Sequence, residues 1–342
     1  MELKYFFSEY YKKAKFYINN IHQREFAIGF NEKIEKRHLA FFSEQEFRHF
    51  LVTHTPFYVS NSIAYYERPG AEMKEKGFIK AELAFDLDAK EGLDKIDKLK
   101  AQVNMILDIL KYDFGAKDIL LAFSGNRGFH IYVRDENIMQ LNGNERKILL
   151  EYILGSGFDY EMLFNINGQK IVGPKPTESG YRGRFARKTI EMIKNNKAFA
   201  KNFGRDENEI NDFLDGIENG LWSKTRKRNI IEKLKPVSDA ITIKESFIDP
   251  PVTYDLSKLM RVVNSLHGST GFRVLPIKDI DAFNIQDAYA FSDEKIEIVA
   301  SDDIEPNKVI DLKEKIKKGG ILKVPLYAAI FLVCQKKAII KI

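Results

Sequence analysis

Apolar and polar positions alternate along residues 81–88, Ala-Glu-Leu-Ala-Phe-Asp-Leu-Asp. An extended strand there puts Leu83, Phe85 and Leu87 on one face and Asp86 and Asp88 on the other. The strand-like pattern covers residues 78–88 as a whole and recurs at 62–66, 119–124 and 129–133. Helical spacing takes over between residues 94 and 112, where Ile96, Leu99, Val103, Ile106 and Leu110 recur, with Gly115 as the stop. Residues 2–20, rich in Tyr, Phe and Lys, also have roughly helical spacing. Ser43 and Glu46 form a capping-box signature ahead of Phe47, Phe50 and Leu51. Strands alternating with helices predict an α/β or α+β core.

Residues 182–235 differ in character. They read as polar helices with few β-branched runs, and hold 14 lysines and arginines against eight acids. That excess of six compares with a net charge of +5 for the whole chain, so the remainder is close to neutral. We expect a helical insert there, within a core built from residues 1–181 and 236–342. Its basic run Arg226-Lys227-Arg228 is a candidate contact for a polyanion. A strand-like run returns at Val252–Asp255, where Asp255 equally suits the cap of a helix from Leu256 to Val263. The apolar stretch from Val324 to Cys334 is too short to span a membrane and reads as a buried strand or core helix. No internal repeat or low-complexity linker is visible.

With 44% hydrophobic and 30% charged residues over 342 positions, the chain reads as soluble and globular rather than disordered. Its mild positive charge permits a polyanionic partner without demanding one. A single cysteine, Cys334, excludes a disulfide framework and a Cys-rich zinc site, and suits a reducing cytosol. The opening residues carry charge and lack a small-residue cleavage site, so no signal peptide is expected.

Two residues along a strand advance about 6.5 Å, so the Asp86 and Asp88 carboxylates can reach one centre. Held together they repel, and a divalent ion with oxygen ligands relieves that repulsion. A strand end whose acids face water is the plain alternative. An EF-hand is excluded, because Lys90 and Glu91 occupy its fifth and sixth positions. Residues 124–130, Ser-Gly-Asn-Arg-Gly-Phe-His, lie between two strands as a hairpin turn. The segment is neither a phosphate-binding Walker loop nor a nucleophile elbow. Its glycines allow close backbone approach to a ligand. Ser124 and His130 can donate to a phosphate, and Arg127 can clamp one bidentately. On these residues alone, an ordinary hairpin with a polar tip stays open. Arg261, and His267 ahead of Gly-Ser-Thr-Gly, again suit phosphate capture.

Taken jointly, these segments resemble the small catalytic subunit of archaeal and eukaryotic DNA primases. That family shows an acidic pair at a strand end, then Ser-Gly-x-Arg-Gly-x-His, then a distant Asp ahead of a basic residue and Ser-x-His with a following Thr-Gly. The chain has Asp86 and Asp88, Ser124 to His130, then Asp255, Arg261, Ser265 and His267, in that order. His22-Gln-Arg-Glu-Phe26, Arg37 and Tyr66-Glu-Arg-Pro69 extend the likeness, which covers about residues 5–290.

The resemblance implies the archaeo-eukaryotic primase fold, with mixed β-sheets flanked by helices. It implies a nucleotidyltransferase that makes short RNA primers on single-stranded DNA from nucleoside triphosphates. By the same resemblance, Asp86, Asp88 and Asp255 hold Mg²⁺ or Mn²⁺. Ser124, Arg127, His130, Arg261 and His267 contact the nucleotide phosphates, and Glu25 and Arg37 assist the elongation-site nucleotide. A primase large subunit is the implied partner, in the cytoplasm and away from membranes. One departure concerns the Cys/His zinc knob that many relatives carry soon after the acidic pair. Residues 89–100 contain neither Cys nor His, so no structural zinc is expected. A repair-type primase-polymerase shares the site, but the chain has no room for the ligase or nuclease modules that accompany such proteins. Three retained aspartates argue against an inactive nucleic-acid-binding relative.

Overall fold

The computed structural model describes residues 3–89, 96–168, 170–223 and 229–341. The chain divides into two compact units. One comprises residues 1–100, 118–146 and 247–342, the other 101–117 and 147–246. Residues 182–235 fall inside the second. Arg226, Lys227 and Arg228, like Lys90, Glu91 and the expected helix start at Asp94, lie outside the described residues.

The elements in chain order begin with α1 (Leu3–Lys13), β1 (Phe26–Gly29), β2 (Lys36–Leu39), α2 (Glu44–His54), β3 (Tyr58–Ser62) and β4 (Ala64–Tyr66). They continue with β5 (Phe78–Ala81), β6 (Leu83–Asp88), α3 (Ile96–Tyr112), β7 (Ile119–Phe123) and β8 (Gly128–Val133). Ser43 caps α2 by accepting a hydrogen bond from the Glu46 amide at 3.1 Å. The reciprocal bond is displaced by one residue, since the Glu46 carboxylate accepts from the amide of Phe42. That cap orients α2 so that Phe47 and Leu51 face the core.

Two four-stranded antiparallel sheets frame the first unit. One orders strand Leu259–Arg261, β3, β1 and β2; the other orders strand Leu275–Ile277, β7, β8 and β6. The second sheet is covered on both faces. Phe123 and Phe129 pack with Phe283 on one side. On the other, Ala84, Ala122 and Tyr132 join Ile63, Val252, Met260, Val263 and Val274 in one buried cluster. Small Ala84 and Ala122 let the two sheets approach on the face that carries Asp86. A three-stranded sheet, with Lys295–Ala300 in the centre, closes the C-terminal part.

The second unit surrounds Trp222, which packs with Phe164, Phe185, Phe213 and Ile217 and donates its indole N–H to the Pro174 carbonyl at 2.9 Å. Helices Gly180–Asn195 and Glu207–Glu218 build much of that core. Together the units form a mixed α/β fold of small antiparallel sheets and helices, as the strand and helix patterns predict.

Three local expectations change. The run at Val252–Asp255 is not a strand: Pro250–Tyr254 is a short helix with Asp255 at its C-terminal cap. Two prolines at its start have φ fixed near the helical value and give up amides that a first turn leaves unpaired. The alternative helix from Leu256 to Val263 is also absent, because Leu259, Met260 and Arg261 pair with Ser62, Asn61 and Ser60 of β3. The long strand at 78–88 breaks at Glu82, β5 pairing with β4 and β6 with β8. The stretch 324–334 resolves into the end of strand Ile321–Pro325 and helix Leu326–Cys334, with Ala328 to Leu332 buried. Among the described residues, no helix is long and apolar enough to cross a membrane.

Candidate active site

The register of β6 on β8 sets Asp86 opposite His130 and Asp88 opposite Gly128. The other edge of β6 meets residues 247–249, through Asp88 N to Phe247 O at 3.0 Å and Asp249 N to Asp86 O at 2.8 Å. The strand backbone is therefore pinned on both sides. The two carboxylates keep partial exposure, 30% for Asp86 and 37% for Asp88.

The Ser124–His130 turn is shaped by close approach. A Cβ on Gly128 would lie 2.1 Å from the Leu87 carbonyl oxygen, in rigid backbone. Gly128→Ala should therefore push β6 off β8 and destabilise the protein by about 3 kcal/mol. Urea unfolding checks this, and a shift below about 1 kcal/mol counts against it. Ser124 closes the turn, its hydroxyl accepting from Gly128 N at 3.2 Å. Arg127 folds back on Asp88, with Nε 2.8 Å from Oδ1 and a second nitrogen 3.4 Å from Oδ2.

His130 is buried, with Nδ1 3.2 Å from the Tyr132 hydroxyl and Nε2 3.5 Å from Asp86 Oδ1. Burial first, and the nearby Arg261 charge second, depress its pKa to about 3, so the ring is neutral at physiological pH.

The loop from Arg261 to Phe272 faces this turn. Gly125, at φ +81°, sits so close that a Cβ would lie 2.8 Å from His267 Cβ. Thr270 Oγ1 donates to the Gly125 carbonyl at 2.6 Å. Burial lowers the Arg261 pKa, while Asp86 pulls it back up most strongly; a guanidinium stays charged there. His267 is buried, and its pKa falls well below 6.5, through burial first and Arg261 second. Its Nδ1 accepts from Ser269 N at 3.2 Å, so the neutral ring carries its proton on Nε2. That Nε2 is buried and has no hydrogen-bond partner among the described residues. A donor in that condition fits an anionic oxygen supplied from outside the protein.

Asp255 stands apart in its surroundings. Its Oδ1 accepts from Ser257 N at 3.0 Å and Ser257 Oγ at 2.7 Å. Among the described residues, no three His, Cys, Asp or Glu side chains form a group that could hold one ion, so Asp255 is not gathered with Asp86 and Asp88 into a ready-made cluster. Glu25 is fully buried and meets Arg37 Nε at 3.0 Å, Lys76 Nζ at 3.1 Å and the His38 amide at 3.2 Å. Burial would raise its pKa, but hydrogen bonds from Arg37 and Lys76 carry it below the ordinary value. Its carboxylate is thus occupied inside the protein, and Arg37 is the half-exposed end of the pair.

Sequence reasoning missed the groups that brace these residues. Buried Glu82 accepts from Arg134 Nε at 2.9 Å and from the Tyr65 hydroxyl at 3.1 Å, and it pairs with Arg24. Arg146 donates to the carbonyls of Ala81 and Glu82 at 2.7 and 2.8 Å. These contacts anchor the start of β6. A carboxylate interrupting an apolar strand was their one visible signal; Lys76 had none.

A family model described as DNA primase small subunit matches residues 85–279. The chain is 30% identical over 351 residues to the DNA primase small subunit PriS of Archaeoglobus fulgidus, covering 98% of this chain and 97% of that relative. Identity to PriS of Pyrobaculum islandicum is 29% over 357 residues, with 98% of each chain covered. PriS of Methanocella arvoryzae is 29% identical over 388 residues, covering 97% of this chain and 96% of the relative. The family match spans more than half the chain and these relatives align almost end to end: the chain belongs to the DNA primase small subunit family.

Proposed function

We propose that this chain is a catalytic primase subunit that joins nucleoside triphosphates into short RNA primers on single-stranded DNA, at a site centred on Asp86 and Asp88. The observation that carries this reading is the pairing of two part-exposed carboxylates with a segment holding the part-buried Arg261 cation and an unpartnered His267 Nε2–H. One side suits cations; the other suits the phosphates that accompany them.

The residues fit divalent ions. Asp86 and Asp88 offer hard oxygen donors on one strand face, and Arg127 already supplies one positive charge to Asp88. Asp86 and Asp88, with Asp255 drawn in as the third ligand, would hold Mg²⁺ or Mn²⁺, which when bound would supply Lewis-acid activation of the primer 3′-hydroxyl and charge compensation for the leaving pyrophosphate. The protein's own groups do the remaining work. Arg261 and His267 bind phosphate oxygens, one by charge and one by a directed hydrogen bond. Ser124, Arg127 and His130 contact the same phosphates from the opposing turn, Arg127 after leaving Asp88. Glu25 fixes Arg37, which reaches toward the incoming nucleotide. The basic excess of residues 182–235, the helical insert in the core, serves the template, and this contribution weakens with salt. The subunit works with a primase large subunit in the cytoplasm and needs no structural zinc.

The test is primer synthesis from labelled nucleotides on single-stranded template, with the chain alone and with the large subunit. Product should appear with Mg²⁺ or Mn²⁺, vanish on chelation and return when the ion is restored. No product under any of these conditions overturns the reading.

A further inference from the structure

We infer that Asp255 is aimed by a relay of polar groups running from buried Lys76 through Glu25 and Arg37 to Ser257, all of them positioning residues for that carboxylate. This rests on the proposed role of Asp255 as an ion ligand.

The relay is continuous. Lys76, only 1% exposed, places Nζ 3.1 Å from Glu25 Oε2 and also donates to the Pro69 carbonyl. Glu25 takes two bonds from Arg37, at 3.0 and 3.3 Å. The same Arg37 nitrogen that makes the longer bond reaches the Ser257 carbonyl at 3.4 Å. Ser257 in turn donates both its amide and its hydroxyl to Asp255 Oδ1. Oδ2 then carries only a 3.9 Å contact with Lys258 among the described residues. One oxygen is tied down and the other is left outward.

Physical argument favours orientation over stability as the role of this arrangement. Burying a lysine against a carboxylate is a weak way to stabilise a fold, because an apolar side chain of similar volume does as well or better. The buried pair instead fixes the planar Arg37 fork, whose geometry leaves little freedom at Ser257. The second element is the chain path. Asp255 caps a five-residue helix, and the strand beginning at Leu259 is already paired to β3, so Ser257 lies in a short span held at both ends. A carboxylate 43% exposed on such a span would otherwise sample several rotamers. Outer-shell bonds of this kind characteristically orient metal ligands.

The experiment measures Mn²⁺ binding to the full chain by electron paramagnetic resonance, without nucleotide. Asp255→Asn should weaken binding at least about tenfold, and Ser257→Ala about tenfold. Ser257→Thr keeps the hydroxyl and should restore affinity. Lys76→Met, in a preparation whose circular dichroism matches the parent, should weaken binding by a smaller factor. Parent-like affinity in Ser257→Ala beside weakened affinity in Asp255→Asn overturns the relay and leaves the ion site standing. Parent-like affinity in Asp255→Asn overturns the ligand role of Asp255 itself. No effect in Lys76→Met removes Lys76 from the relay.

Discussion

Asp86→Asn and Asp88→Asn should each lower primer synthesis by about a thousandfold or more, while affinity for single-stranded template stays close to that of the parent. The size follows from the job assigned to these carboxylates. Loss of one preorganised electrostatic contact to a transition state costs about 10²–10³ in rate, and loss of an ion ligand removes more than one contact. Asparagine keeps the shape and removes the charge, so the strand register with β8 survives. Stability should barely move, because the Arg127–Asp88 pair is 40% and 37% exposed, and pairs of that kind contribute about 0–1 kcal/mol. Three measurements separate the outcomes: extension of labelled primers, template binding by anisotropy, and the thermal midpoint. Full activity in either variant would sink the assignment of the site. Loss of activity together with loss of folding would instead place Asp86 or Asp88 among the structural residues.

Glu82→Gln should act in the opposite pattern, through folding. Glu82 is 3% exposed and faces Arg24 at 1% and Arg134 at 13%. Removing one partner of a buried ion pair costs about 3–5 kcal/mol, because the remaining charge is stranded without solvent. Arg24 also donates to the carbonyls of Ser62 and Ile63, so it cannot simply withdraw to water. Arg146 would still hold the Glu82 and Ala81 carbonyls, which keeps the chain path but not the charge balance. Chemical denaturation should show the deficit as a lower midpoint. A change under about 1 kcal/mol would mean that solvent or a rearranged Arg134 compensates.

These two variants mark where sequence was informative. The Asp86 and Asp88 strand was legible because a period of two is set by backbone geometry and needs no knowledge of neighbours. The 124–130 turn was legible because Gly125 and Gly128 are demanded by steric contact, with His267 and the Leu87 carbonyl respectively. The family likeness brought in Asp255, Arg261 and His267, yet the local reading around them failed. Proline at 250 and 251 started a helix where alternation suggested a strand, and pairing with β3 made a strand where spacing suggested a helix. That pairing joins residues some 200 positions apart, and nothing local records it. Lys76 and Glu82 were missed for a related reason. A charged residue reads as exposed until its partner is known, and their partners, Glu25 and Arg24, both sit just ahead of β1, far away in sequence.

The Arg127–Asp88 contact has a consequence for turnover. A polymerising enzyme has to empty its phosphate site after every addition. On the proposed reading, two imidazoles kept neutral by burial would hold an anion by direction rather than charge, leaving Arg261 and Arg127 as the strong electrostatic grips. Arg127 already makes a two-pronged contact with Asp88, while Arg261 is balanced chiefly by the charge of Asp86. If Arg127 grips a phosphate as proposed, its guanidinium would close on Asp88 as pyrophosphate leaves, and departure would exchange one ion pair for another. On that reading the resting pair would act as a latch for product exit, reopened by the next triphosphate.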